Sequence, residues 1–216
     1  MYYNKTQRTT VKRRAGRARH DRATIDAILD QGLVGHVGIA AEGQPYVIPM
    51  LYARSGEHIY LHGSPLSRLL GGLAGGTAMC LTVTLLDGIV LARSAFHHSL
   101  NYRSVVVLGE AHAVLAREEK LEALRTLVER FLPGRSADVR GPSDQELEAT
   151  EVVALAIEEV SAKVREGPPV DAPEDYALPV WAGEVPLAMV AGTPAPDPRC
   201  DALLPPYLAS SSRAYG

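Results

Sequence analysis

Cysteine is almost missing from this chain of 216 residues. Cys80 lies inside an apolar run and Cys200 in a proline-rich tail, a pattern that begins neither a disulfide framework nor a zinc knuckle. That usage fits a reducing cytoplasm. No apolar run approaches the roughly 20 residues that cross a bilayer, and the basic N-terminus is not followed by the apolar stretch of a secretory signal. A cytoplasmic, unprocessed protein without a membrane partner is expected. Internal repeats and low-complexity segments are absent, and no cysteine or carboxylate cluster supplies a metal-ligand set, so no metal is expected. What is present, 46% hydrophobic residues, suffices for one well-buried core.

Charge is unevenly spread. The net charge is -3, yet the first 22 residues carry Lys5, Arg8, Lys12, Arg13, Arg14, Arg17, Arg19 and Arg22 against Asp21 alone. Such an arm can hold nucleic acid through phosphate contacts, but it lacks aromatic interleaving and any folded recognition pattern. An extended arm lying on an acidic surface of its own chain or of a partner subunit is the preferred reading, with nucleic acid disfavoured. The chain divides into this arm (1–22), a β-rich domain with peripheral helices and a C-terminal wrap (23–187), and a proline-rich tail (188–216).

Within the domain, Ile25, Ile28 and Leu29 recur at helical spacing over 23–31, with Asp21 as N-cap and Gly32 as stop. Strands follow at 33–41, 45–53 and 57–62, joined by glycine turns, then a short helix at 65–73 and a strand at 77–85. A turn at Leu86-Asp87-Gly88 separates this from strands at 89–96 and 102–115. Leu121, Leu124, Leu127, Val128 and Phe131 form the apolar face of a helix at 118–132, Ser143 and Glu146 a capping box, and 152–157 a last strand. The fold class is mainly β with peripheral α: a six-stranded antiparallel sheet closing into a small barrel.

Strand periodicity assigns faces. In HIYLHG, Ile59 and Leu61 point to the core, while His58, Tyr60 and His62 point the other way. Beyond His62, Gly63 lets the backbone bend, and Ser64 and Ser67 offer hydroxyls beside the Arg68 guanidinium. Together with backbone N–H groups at the start of the next helix, that suits a phosphate. A solvated turn with Ser64 as helix cap satisfies the same residues, and both readings stay open. Alternation sends His97 and His98 to opposite faces, which argues against a shared metal. Arg103 begins a strand that is apolar on both faces, one for the core and one for a partner. Pro49 breaks a hydrogen-bond ladder, so its strand is an edge or leaves backbone free for a flat ligand.

The segments PYVIPMLY, IYLHGSPLSR, VTLLDGIVLARSAFHHSLNYRSVVVLGEA, SAKVREGPP and LPVWAGEVPL, taken in order over 14–187, resemble the flavin mononucleotide-binding split-barrel proteins related to pyridoxamine 5'-phosphate oxidase. The resemblance is greatest to the branch that includes the nitroimidazole-resistance (Nim-like) proteins. It implies a split-barrel homodimer with FMN at the subunit interface. Val47, Ile48, Pro49 and Met50 would offer backbone to the ring, and His62, Gly63, Ser64, Ser67 and Arg68 would surround the phosphate. Arg103 and Ser104 would approach the ring or phosphate, and Lys163, Arg165 and Trp181 would close the site.

The resemblance further implies an oxidoreductase acting on a small-molecule substrate, in which the flavin carries the electrons and no side chain need be a nucleophile. The alternative is a non-catalytic module holding flavin, haem or another planar ligand, and a deazaflavin in place of FMN is open. Two departures matter. Leu69 stands where many relatives carry a second basic residue, and the arginine-rich ending of true pyridoxamine phosphate oxidases is missing.

Overall fold

The computed structural model describes residues 1–209. Its N-terminal segment holds a short 3-10 turn at Ala15–Arg17 and strand β1 (Ala18–Arg19) before helix α1 (Arg22–Gln31). Asp21 caps α1 by accepting the Thr24 N–H at 2.9 Å, and Ile25, Ile28 and Leu29 are buried on its inner face. Gly32 ends it for steric reasons, not conformational ones. Its φ is -67°, but an added Cβ would lie 2.3 Å from Val83 Cγ1 and 2.9 Å from the Tyr52 hydroxyl. Gly32→Ala is therefore expected to cost about 1–3 kcal/mol by overpacking, read as a lower urea midpoint with an unchanged slope.

Strands β2 (Val34–Ala41) and β3 (Gln44–Leu51) form a hairpin whose turn residues Glu42 and Gly43 both take positive φ, 53° and 77°. Next come β4 (Ala53–Ser55), β5 (His58–Gly63), helix α2 (Arg68–Ala74) and the long strands β6 (Gly75–Leu91) and β7 (Ser99–Ala113). Helices α3 (Arg117–Phe131), α4 (Arg135–Asp138) and α5 (Asp144–Glu148) lead to β8 (Glu151–Ala156) and β9 (Glu159–Arg165). The chain then wraps through β10 (Gly183–Pro186) to α6 (Pro206–Ala209).

All ten strands belong to one antiparallel sheet, with the path β3-β2-β6-β7-β8-β5-β4. β7 changes neighbour along its length: residues 102–108 pair with β9 and 111–113 with β8. The sheet curls around Ile59, Leu61, Leu81, Val83, Val105, Val107 and Leu155, all buried, without hydrogen-bonding β3 to β4, which is the split of a split barrel. The six-stranded reading grows by β1, β9 and β10 and by the separation of β4 from β3.

Two expectations are corrected. Leu86-Asp87-Gly88 is a bulge inside β6, with a register shift between Leu86 and Gly88, and not a turn. Gly88 is small because β10 crosses there: a Cβ would meet the Val185 carbonyl at 3.1 Å. The helix expected at 65–73 begins later, with Ser67 and not Ser64 at its N-cap. The turn residue Ser64 instead accepts the Leu66 N–H at 3.2 Å and the Ser67 N–H on its carbonyl at 2.9 Å.

The basic arm is anchored. Tyr3 is buried, and its hydroxyl donates to Asp26 at 2.9 Å; burial and that carboxylate push its pKa up to about 12. Arg8 pairs with Glu159 and Arg22 with Glu57. The tail runs along the surface to α6, and its positions 210–216 lie outside the described residues.

Candidate functional site

His62 apart, the expected site residues fall into two groups at opposite ends of the sheet. The first is the corner where β5 ends. Curling brings β3 over this corner, so the Arg68 guanidinium donates to the Tyr46 hydroxyl at 3.0 Å and lies 5.4 Å from that ring's centre. Gly63 closes β5 opposite Glu151, and Ser67 at the N-cap of α2 makes no side-chain cap bond. Leu69 is a core side chain at 3% exposure, which explains why a second cation does not stand there. Pro49 settles as an edge residue, since β3 pairs with β2 alone. Val47 is 67% exposed and Ile48 and Leu51 are 37% exposed, an apolar strand open on both faces.

The second group lies where β7 starts. Arg103 is held by Asp87, at 2.7 and 3.0 Å, and by Gln31 at 2.5 Å. Ser104 donates to the Lys163 carbonyl at 3.4 Å. Arg165 is buried, its guanidinium on Asn101 and on the carbonyls of Gly167 and Pro168. Trp181 is 66% exposed and leans over Gly183, where any Cβ would sit 2.9 Å from the indole. From Arg103 to Ala113, beside the first corner, β7 runs for ten residues, roughly 30 Å of strand. One chain does not bring the two groups together.

His62 belongs to a third place. Its strand face is covered by α3, and it lines a cavity of about 500 Å³ with Leu121, Leu124, Leu127, Val128 and Phe131. Its Nδ1 is sealed from solvent with no hydrogen-bond partner, and burial pushes its pKa below the ordinary histidine value, so the ring is held neutral. Arg140, paired with Glu146 at 2.6 Å, stands at the rim. Glu146 in turn is held to about 2, first by that guanidinium and then by the Ser143 N–H of the capping box.

This cavity has a sequence signal that periodicity alone leaves unread. The apolar face of α3 carries five large residues, but only Leu127 among them is buried. Leu124 packs partly buried against Val114, Ala123 and Val152, while Leu121 and Val128 stay half-buried and Phe131 is exposed.

A sequence profile of the pyridoxamine 5'-phosphate oxidase family matches residues 21–164. The chain belongs to this family. Among solved structures, the flavocytochrome Anf3 from Azotobacter vinelandii is 43% identical over 94% of this chain and 96% of that one, with a TM-score of 0.89. The FAD and heme binding protein from Mycobacterium smegmatis is 36% identical over 92% and 98%, with a TM-score of 0.88. A Bacteroides thetaiotaomicron protein described as a 5-nitroimidazole antibiotic resistance protein is 26% identical over 68% and 86%, with a TM-score of 0.58. No curated protein matches the chain. The likeness to the flavocytochrome thus spans 94% of this chain, and that to the nitroimidazole-resistance protein 68%.

Proposed function

We propose that this family member is a flavin-binding oxidoreductase, active as a homodimer, that also carries haem. The observation that carries the flavin assignment is the corner itself: a guanidinium and two hydroxyls beside an exposed apolar edge strand, the donor set a phosphorylated planar ring requires. FMN would end at this corner, with Ser64, Ser67 and Arg68 on its phosphate and the backbone of Val47 to Met50 along its ring. Arg103, Ser104 and Trp181, at the far end of β7, would reach the same ring from a second copy. Bound flavin supplies hydride and single-electron transfer to a small-molecule substrate. The chain's own part is to orient the ring, exclude water from it and neutralise its phosphate.

Haem is favoured by the cavity under α3 and by the likeness to two structures, one a flavocytochrome and the other an FAD and heme binding protein. An apolar chamber with one neutral imidazole fits that group. His62 would hold the iron through its imidazole, and Arg140 would pair with a propionate. The near absence of cysteine and of any membrane-crossing helix among the described residues supports a cytoplasmic site of action.

The test is the visible spectrum of the purified protein, with mass spectrometry of the released ligands. Flavin and Soret bands together are expected. Arg68→Ala removes a charge-assisted contact of about 1.5–3 kcal/mol, so flavin affinity should fall about 10- to 100-fold. Undiminished flavin occupancy in that variant at limiting flavin would sink the phosphate assignment. A wild-type protein whose flavin is reduced by no donor would leave binding without catalysis.

A further inference from the structure

The wall of the His62 chamber that follows α3 has no part of the core to fix it. Ser136, Val139, Arg140 and Pro142 line the chamber from this side, yet no residue between Leu127 and Leu147 is buried. Backbone without buried side chains opens at low cost, so the ties on residues 133–142 decide whether the chamber is closed. At one end the Glu129 carboxylate accepts the Gly134 and Ser136 N–H groups at 2.7 and 2.8 Å. At the other, Arg140 pairs with Glu146, an exposed ion pair of the kind that contributes little.

The stretch between them, α4, is held from the tail. The Tyr207 hydroxyl donates to the Asp138 carboxylate and accepts from the Arg135 guanidinium at 3.3 Å, and its ring edge lies 3.7 Å from where a Cβ on Gly134 would stand. One side chain therefore grips α4 at its N-cap, its first residue and its last. The segment that delivers it is of a different kind from the rest of the chain. Every residue from 187 to 204 is exposed, and the chain settles on the surface again at Pro205, Tyr207 and Leu208, which are half-buried. Pro194, Pro196, Pro198, Pro205 and Pro206 stiffen this span and reduce the entropy it loses on docking. Little apolar area is buried by it, so its hold on α4 rests on polar contacts that water can replace. Such a hold makes and breaks readily.

We propose that residues 133–142 are a lid over the His62 chamber and that Tyr207 is its latch: with the tail docked the lid is shut, and with the tail released the chamber exchanges its planar occupant. Lid and latch stand on the contacts above; that the occupant is haem rests on the reading already given.

Amide hydrogen exchange and hemin exchange test this on the full-length protein. Tyr207→Ala should speed exchange of the amides of 134–139 about tenfold, since it removes two hydrogen bonds to charged groups, and Tyr207→Phe should reproduce most of that effect while keeping the ring. In both variants hemin should enter the haem-free protein faster and also leave the loaded protein faster, read by its transfer to apomyoglobin. A residue that merely supported bound haem would change release and not entry. Tyr2→Phe, at a 74% exposed tyrosine of the other terminal segment, should change none of these rates. Faster amide exchange with no hemin uptake by any form would keep the lid and sink the haem reading. Unchanged exchange at 134–139 in Tyr207→Ala, or faster exchange with unaltered hemin entry, would overturn the proposal.

Discussion

A His62→Ala variant is expected to purify without a Soret band and with its flavin absorbance intact. The alternation of β5 sends Ile59 and Leu61 inward to full burial and His62 outward under α3. There the ring meets apolar side chains, and its Nδ1 is buried without a hydrogen-bond partner. Burial lowers its pKa, so the Nε2 lone pair is available to a metal at neutral pH without first losing a proton. Because the folded-state value lies below the unfolded value of about 6.5, the stability from keeping this ring neutral is present above that pH. It is lost as pH falls through the folded value. Haem should therefore be retained to a more acidic pH than an exposed histidine would allow. Alanine leaves a hole about the size of an imidazole. Added imidazole should restore the Soret band, a rescue that a merely structural role for His62 would not show. A Soret band that survives the substitution would remove His62 from the haem.

How far the sequence foretells this molecule depends on whether a signal is local. The capped first helix, the six principal strands and the capping box at Ser143 were legible because each rests on spacing within a few residues. β9 was passed over although EVSAKVR alternates polar and apolar residues, whereas the four residues GEVP are too short to signal locally and owe their form to a partner strand 96 residues away, where Val185 pairs with Ile89. The bulge at Asp87 reads locally as a turn because Asp-Gly is turn chemistry, and only the neighbouring β10 makes it a strand. For the site, residue types were legible and their grouping was not. His62 sits one residue from Gly63 in sequence but opens into a different chamber from that of Ser64 and Arg68.

The second large effect is expected at Val47. Substitution with glutamate should convert the proposed dimer to a monomer and empty the flavin site while Arg68 and its corner remain intact. Within one chain Val47 is 67% exposed, so a carboxylate there meets water and leaves the fold undisturbed. Against a second copy, the same carboxylate would be desolvated beside Ile48 and Leu51 with no partner, a cost of several kcal/mol that weakens association by roughly a thousandfold. The separation of the two residue groups along β7 then decides the functional outcome. A lone chain offers Ser64, Ser67 and Arg68 without Arg103, Ser104 and Trp181, and half a site holds the ring from one side only. Light scattering with the visible spectrum reads both effects together. Leu203→Glu, at 92% exposure in the tail, serves as the control that adds the same charge elsewhere and should change neither. A Val47→Glu protein that remains dimeric would take Val47 out of the interface, and a monomer that keeps its flavin would show that the ring is held within one chain, leaving the long span between the two groups in need of another explanation.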